Sequence, residues 1–263
     1  MSGRAGTHRL SLRHLAERAS RDVVLRRRLP VELGGHRVLV TPDASLRFWL
    51  PGLYRRDAMF VDRCRELLRP GDAVWDVGAD VGLFAYAAAW FSGAQGEVLA
   101  LEPDPWLAAL LRRSAGALPA AFAPIEVSEL AVADRSGPSS FAVASRGRAT
   151  SHLSEVAGST QSGGSRGTIT VQATTLDRLL AKRRAPRLVK IDVEGAELLC
   201  LRGAADLLCD ARPVLLCEVD APNRQAIGEL LAAAGYQLFD AEAAPAERQP
   251  LAEPAWNTLA IPR

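Results

Sequence analysis

The first residues that could do chemistry lie where an apolar strand, predicted over Ala73–Val77, runs into a tight glycine-containing turn. A second predicted strand, Glu97–Leu101, ends on an acid. In nucleotide-binding α/β units, such a turn lets the backbone approach a ligand, and the acid accepts hydrogen bonds from ribose hydroxyls. The candidate binding residues are Asp76, Gly78, Ala79, Asp80, Gly82, Glu102 and Pro103.

The charge beside this turn indicates which nucleotide it would take. A dinucleotide site uses three closely spaced glycines, so that backbone N–H groups and a helix N-terminus meet a pyrophosphate. Here only Gly78 and Gly82 are present, and Asp76 and Asp80 would repel a phosphate. The same carboxylates suit a cofactor with a positive centre and an ammonium group. The turn therefore predicts an S-adenosylmethionine site and a methyltransferase.

Several of these residues also have a purely structural interpretation. Asp76 and Asp80 could engage the methionine ammonium, while Asp80 could cap the following helix. Trp106 could stack on adenine or anchor its helix on the sheet. Asp134 could accept from the adenine amino group, or it could belong to a turn, since Asp-Arg-Ser-Gly is typical turn sequence.

Three residues are candidates for catalysis. Asp192 ends a buried strand, at the edge where open α/β sheets bind ligands, and Glu194 would point to the same side if the backbone stayed extended. Asp192 could act as a general base or as one ligand of a divalent cation such as Mg²⁺; alternatively, both acids only fix the loop. His152 precedes a Gly/Ser-rich stretch and could be a base carried on a lid, or a surface residue.

Apolar segments with strand and helix character alternate from residue 58 onward, which predicts a mostly parallel seven-stranded sheet with an antiparallel last strand and helices on both faces. We divide the chain into an N-terminal extension (1–57) and a domain (58–263) with a mobile loop at about 145–168. Predicted strands cover Ala73–Val77, Glu97–Leu101, 125–132, 188–192, 214–219, 236–239 and 257–261, with a β pair at 141–144 and 168–172 and a short strand pair around 31–40. Predicted helices cover 62–68, 83–90, Pro105–Ala115, 176–181, 196–209 and 225–234.

With these motifs in place, residues 67 to 261 resemble the FkbM family of S-adenosylmethionine-dependent methyltransferases. The resemblance rests on ordered motifs, of which Lys190-Ile191-Asp192-Val193-Glu194-Gly195-Ala196-Glu197 is the most distinctive. The others are Trp75 to Gly82, Glu102-Pro103-Asp104-Pro105, Ala131 to Asp134 with Ser136-Gly137, and Thr175-Leu176-Asp177. Asp80 is a departure, because the family pattern usually has Asn at that position.

The resemblance implies a Rossmann-like class I fold and methyl transfer, most often to the hydroxyl oxygen of a small molecule such as a sugar or a secondary metabolite. Two other functions stay open. The chain could bind S-adenosylmethionine without turnover, as a regulator or assembly partner. A nicotinamide-dependent oxidoreductase on the same fold is disfavoured by the missing dinucleotide glycines.

Composition and charge bear on the partners and the cellular location to expect for this protein. The 32 basic and 30 acidic residues leave a net charge of +2, which does not favour a nucleic-acid partner. No apolar run approaches the ~20 residues of a membrane span. The four cysteines lie in apolar patterns and predict buried free thiols and a cytoplasmic location. Residues 4–28 carry eight arginines and predict a basic amphipathic helix, which could pack on the domain edge, on a second copy in a homo-oligomer, or on an anionic surface.

Overall fold

The computed structural model describes residues 12–55, 57–156 and 162–263. The strands are β1 (Leu25–Arg28), β2 (Arg37–Val40), β3 (Ala73–Val77), β4 (Glu97–Leu101), β5 (Ile125–Ser128), β6 (Leu130–Val132), β7 (Gly137–Ala144), β8 (His152–Leu153), β9 (Ser165–Thr174), β10 (Leu188–Ile191), β11 (Val214–Glu218), β12 (Tyr236–Asp240) and β13 (Asn257–Pro262). The helices are α1 (Leu12–Ala19), α2 (Ala58–Leu67), α3 (Leu83–Ser92), α4 (Pro105–Ala115), α5 (Leu176–Leu180), α6 (Glu197–Arg202) and α7 (Arg224–Ala233).

Seven strands form the main sheet, in the order β12-β13-β11-β10-β3-β4-β5. The pairs from β11 to β5 are parallel, whereas β13 is antiparallel to both β11 and β12. The connection from β12 to β13 contains no crossover helix, so the last strand can return only in the antiparallel direction. The predicted fold, with its antiparallel last strand, is confirmed.

Alternating residues of the central strands face two separate cores. Val74 packs in the core that also holds the apolar faces of α2, α3 and α4. Trp75 and Val77 face the opposite core, which is closed by α5, α6 and α7. Because a strand buried on both faces must be apolar throughout, β3, β10 and β11 are near-continuous apolar runs. The charged exceptions are Asp76, Lys190 and Glu218, which lie in or directly beneath the candidate site.

A second sheet of four strands, in the order β6-β9-β7-β8, lies beside the carboxyl ends of the main sheet. It explains two differences from the predicted elements. The strand predicted over 125–132 is divided, because the chain leaves the main sheet after Ser128 and Leu130–Val132 pairs with β9 instead. Residues 165–167, predicted to be loop, begin β9 and pair with β7. Residues 157–161 of the predicted mobile loop lie outside the described residues.

The N-terminal segment also differs from its prediction. Helix α1 ends at Ala19, and the predicted basic helix over 4–28 is wrong for Leu25–Arg28, which form β1 against β2. The side chain of Arg27, in this strand, also attaches β1 to the following segment, because its guanidinium donates to the carbonyl oxygens of Phe48 and Trp49. The predicted pair around 31–40 is correct only for its second strand, since Val31–Leu33 is a 3₁₀ turn. Residues 1–11 of the predicted helix lie outside the described residues.

The helix predicted over 196–209 stops after Arg202. Gly203 packs so tightly that a Cβ atom there would lie 2.4 Å from the carbonyl oxygen of Ala133. The chain then resumes as a π-helical turn over Leu207–Ala211, whose first N–H donates to Asp177. Cys209 lies in this turn and is exposed, so its predicted burial is wrong. The other three cysteines are buried, and all four thiols are free.

Where the structure is described, no helix has the length and apolar character needed to cross a membrane.

The turn between β3 and α3 depends on Gly78. Its φ of +79° lies in the left-handed region, and a Cβ atom there would be 1.9 Å from the carbonyl oxygen of Asp192. The N–H groups of Gly78 and Ala79 both donate to the carbonyl oxygen of Leu101, at 3.0 Å. The backbone of Gly78 therefore lies close against the ends of both β4 and β10, which leaves no room for a side chain at this position.

We expect Gly78→Ala to lower the free energy of unfolding by about 1–3 kcal/mol more than Gly71→Ala does. Both glycines have positive φ, but Gly71 has open space around its Cβ position, so it reports the conformational cost alone. Urea unfolding followed by tryptophan fluorescence measures both variants. Equal losses would show that the close approach of Gly78 to Asp192 adds no constraint.

Candidate functional site

The carboxyl ends of four adjacent strands bring the candidate residues together. Gly78 follows β3, Glu102 follows β4, Asp192 follows β10 and Glu218 ends β11. All four line one cavity of about 320 Å³, which is also lined by Ala79, Asp80, Pro103 and Glu194 among the predicted residues. The crevice at this edge is the usual ligand position in open α/β sheets. The structure therefore gathers most of the predicted binding residues into one site.

Glu102 fixes the ends of two loops. One carboxylate oxygen accepts from the N–H of Asp80 and the other from the N–H of Asp104, both at 2.8 Å. Burial raises the pKa of Glu102 to about 8, against the lowering effect of these hydrogen bonds. Each oxygen retains a second lone pair, so the carboxyl group can still accept hydroxyl groups of a ligand.

Asp80 lies at the centre of the turn with φ at +49°, a conformation that Asp and Asn adopt more readily than other side chains. Its Oδ1 atom is buried and has no hydrogen-bond partner in the part of the chain that the structure describes. Burial raises the pKa of Asp80 to about 7, and the nearby Arg47 guanidinium acts in the opposite direction. The family's usual Asn at this position shares the same backbone preference. Asp80 thus retains the turn geometry and adds a carboxyl group to the cavity wall.

At the floor of the cavity, the Lys190 ammonium group contacts three oxygen atoms. Its ammonium donates to the carbonyl oxygen of Gly78 at 2.6 Å and lies 3.3 Å from carboxylate oxygens of Asp76 and Asp192. Asp76 is fully buried, which raises its pKa, while Lys190 partly offsets that effect. Burial would lower the pKa of Lys190, but the two carboxylates outweigh it and raise that pKa above its ordinary value. Asp76 thus supports the cavity floor and does not line the cavity.

The loop after β10 is not extended. Glu194 has a φ of +56°, so the condition under which it would share a side with Asp192 is not met. Glu197, at the start of α6, instead shapes the loop by accepting from the N–H groups of Val193 and Gly195. Asp192 and Glu194 both line the cavity in this bent arrangement. Burial, followed by the charge of Asp192, raises the pKa of Glu194 to about 9.

Besides Asp76, four predicted site residues lie outside the cavity lining. Gly82 precedes α3, and His152 lies in β8, although its neighbours Ser151 and Leu153 do line the cavity. Asp134 is paired with Arg135 beyond the end of β6. Trp106 has the guanidinium of Arg148 over its ring, 4.9 Å from the ring centroid, and packs beside the first core.

Sequence reasoning did not identify three charged residues of the cavity, Arg47, Arg148 and Glu218, and gave Asp57 only as a residue that could reach a polar acceptor. Glu218 ends a buried strand next to Asp192, so its position after an apolar run could have indicated it. Arg47 and Asp57 form an ion pair at 2.8 Å, and both come from the segment that precedes the sheet. Neither they nor Arg148 carry a local signal, because chain segments distant in sequence bring them to the cavity.

The cavity favours a cationic ligand. Six acidic side chains line it, against Arg47, Arg148 and Lys190. The acids are Asp57, Asp80, Glu102, Asp192, Glu194 and Glu218. A cationic ligand would favour the ionised form of those whose pKa values burial raises, whereas a pyrophosphate would favour their protonated form.

No three His, Cys, Asp or Glu side chains are arranged to hold a metal ion in the parts of the chain that the structure describes. The divalent-cation interpretation of Asp192 therefore gains no set of ligands from them.

The seven-stranded sheet, mostly parallel with an antiparallel last strand, is the class I methyltransferase fold. Residues 76–238 match the family model described as the methyltransferase FkbM domain, which covers more than half of the chain. The chain therefore belongs to the FkbM family of S-adenosylmethionine-dependent methyltransferases. Comparison with curated proteins found no match.

Solved structures similar to this chain include methyltransferase FkbM from Methylobacillus flagellatus KT, with 17% identity and a TM-score of 0.45 over 76% of this chain. The chain spans about half of that protein's length, since 49% of it is covered. A SAM-dependent O-methyltransferase from Thermotoga maritima has 11% identity and a TM-score of 0.40, with 84% of this chain and 70% of that one covered. Fibrillarin from Aeropyrum pernix, solved with bound S-adenosyl-L-methionine, has 12% identity and a TM-score of 0.43, with 90% and 93% covered.

We expect Glu194→Gln to flatten the pH dependence of stability. A carboxyl whose folded pKa is raised to about 9 stabilises the fold below its ordinary pKa and loses that contribution as pH rises toward 9. Between pH 5 and pH 9 the unfolding free energy of the parent protein should fall as Glu194 loses its proton. The fall in the variant should be smaller by at least about 1 kcal/mol. Urea titrations across this range provide the measurement.

Glu253→Gln is the matched control, because Glu253 is an exposed acid that does not line the cavity. It should leave the pH profile of the parent protein unchanged. Parallel profiles for the parent protein and Glu194→Gln would contradict a buried, proton-holding Glu194.

Proposed function

We propose that this protein binds S-adenosylmethionine in the cavity at the sheet edge and transfers its methyl group to a hydroxyl oxygen of a small molecule. The observation that carries the proposal is the placement of Glu102, Asp80 and Asp192 around one cavity at the carboxyl ends of β3, β4 and β10. A hydroxylated small-molecule acceptor, such as a sugar or a secondary metabolite, and a cytoplasmic location complete it.

The residues present fit this cofactor. It carries an ammonium and a sulfonium against one carboxylate, and the cavity presents six acids against three cations. Asp80 supplies a buried carboxylate oxygen that has no hydrogen-bond partner among the described residues. Because a buried polar atom without a partner is costly, a donor such as the ligand's ammonium group would stabilise this arrangement.

Each binding residue has a distinct task in this proposal. Glu102 accepts from the two ribose hydroxyls, since both of its oxygens have a free lone pair beside the backbone N–H that each already accepts. Asp80 engages the ammonium group. Pro103, Leu107 and Leu130 supply the apolar wall for the adenine ring. Trp106 and Asp134 support this end from outside the lining.

S-adenosylmethionine supplies an already activated methyl group when it is bound. The chain's own residues must then align the acceptor, exclude water and take up the hydroxyl proton. In the transfer a carbon–oxygen bond forms, the carbon–sulfur bond breaks, and the proton leaves the acceptor oxygen. Asp192 is suited to receive it, because it lines the cavity and its ion pair with Lys190, at 3.3 Å, fixes the position of its side chain. Glu194 lies next to it, whereas His152 lies outside the lining.

We expect Glu102→Gln to weaken the binding of S-adenosylmethionine and S-adenosylhomocysteine by about 10- to 100-fold, since it removes a charged acceptor. Calorimetric titration measures both ligands, with NADH as a third. Glu126→Gln is the control, because Glu126 is exposed on the adjacent strand β5 and pairs with Arg183. Failure of the unaltered protein to bind either adenosyl ligand would overturn the proposal, and binding of NADH instead would favour an oxidoreductase.

We expect Asp192→Asn to slow methyl transfer by at least about 100-fold, the usual contribution of a general base, with S-adenosylhomocysteine affinity within about 3-fold. The assay follows labelled methyl from S-adenosylmethionine onto hydroxylated sugars and related alcohols.

His152→Ala should leave the rate unchanged. An unaltered rate in Asp192→Asn removes Asp192 from the mechanism, and a loss confined to His152→Ala would assign the base to His152. Binding without transfer to any acceptor would favour a non-catalytic cofactor-binding protein.

A further inference from the structure

Two segments meet over the cavity at a buried carboxylate. One precedes the sheet and contains Asp43 and Ala44; the other follows β7 and contains Arg148 and Ala149. The N–H of Arg148 donates to the carbonyl oxygen of Asp43 at 2.8 Å, and that of Ala149 to the carbonyl oxygen of Ala44 at 3.4 Å. Both Arg148 and Ala149 line the cavity. The backbone contacts therefore attach part of the cavity wall to the N-terminal segment.

Asp43 is almost fully buried, with 3% of its surface exposed, and it is shared by two guanidinium groups. Arg166 donates from both terminal nitrogens to the two carboxylate oxygens, at 2.9 Å each. Arg148 donates from Nε to Oδ2, also at 2.9 Å. The two arginines are similarly buried, with 18% and 16% of their side chains exposed.

Arg148 makes three further contacts that Arg166 does not share. Its Nη1 atom donates to the Oδ2 atom of Asp104, the residue that caps α4. Its guanidinium lies over the ring of Trp106, at the distance of a cation–π contact. Its side chain also lines the cavity, next to the loop in which the N–H of Asp104 donates to Glu102. Arg148 therefore connects the cavity wall to the carboxylate proposed to hold ribose.

We propose that Arg148 is a positioning residue for the adenosyl end of the cofactor. It fixes the wall formed by residues 148–151 against the start of α4, and thereby holds the Glu102–Asp104 loop in its binding arrangement. Arg166 serves only the attachment of β9 to Asp43. The inference rests on the proposed function, since it assigns the cavity end near Glu102 to the adenosyl group.

The test compares Arg148→Gln with Arg166→Gln in the full chain. Each removes one positive charge from the same buried carboxylate, so both should lower thermal stability. Arg148→Gln should lower it further, because the buried Asp104 loses its ion pair as well. We expect the dissociation constant of S-adenosylhomocysteine, measured by calorimetry, to rise at least about 10-fold in Arg148→Gln and by less than about 3-fold in Arg166→Gln. Arg148→Lys keeps the charge but not the planar fork, and should give an intermediate affinity.

Equal affinities in the two glutamine variants would overturn the inference, because Arg148 would then act only through its attachment to Asp43. If Arg148→Gln does not fold, Arg148→Lys decides: parental affinity in that variant also overturns it. A parent protein that binds no adenosyl ligand would instead overturn the proposed function, together with this inference. A parent that binds normally, with the loss confined to the Arg148 variants, supports both.

Discussion

The Lys190 ammonium group holds the carboxyl edge of the sheet together. It donates to a carbonyl oxygen of the β3 turn and forms ion pairs with the carboxylates of Asp76, in β3, and Asp192, just after β10. A fully buried carboxylate without a cation would be strongly destabilising, so Asp76 depends on this contact. The chain has only two lysines among its 32 basic residues. A compact ammonium with three donors suits three oxygens on different sides, whereas a planar guanidinium would not.

Elements governed by local pattern were predictable. The apolar runs of β3, β4 and β10, and the Asp104–Pro105 start of α4, gave boundaries within one residue of the structure. Elements decided by distant contacts were not. Residues Ile125–Val132 were predicted as a single strand, yet the chain changes sheets within it because β9 offers a new partner. Similarly, α6 ends where Gly203 meets the backbone of Ala133, a contact 70 residues away in sequence.

The residues of the candidate site also fall into two groups: those predictable from the sheet topology and those placed by distant contacts. Gly78, Asp80, Glu102 and Asp192 follow strands of a parallel sheet, so their meeting was implied by the topology alone. Glu194 lies only two residues beyond Asp192, but its left-handed backbone follows from the way Glu197 captures the loop N–H groups. Arg148 reaches the cavity through a hairpin of the second sheet, and no spacing in the sequence encodes that approach. Local chemistry thus identified the cofactor side of the cavity better than the remaining wall.

The buried acids of the cavity have a consequence for proton balance. Burial raises the pKa of Asp80 to about 7 and those of Glu102 and Glu218 to about 8, so near neutral pH the cavity holds protons where an open site would hold charge. A cation that enters favours the ionised carboxylates and displaces those protons into solvent. Uptake of a cationic ligand is therefore an exchange of protons for that ligand. Its affinity accordingly rises with pH over the range in which these groups titrate.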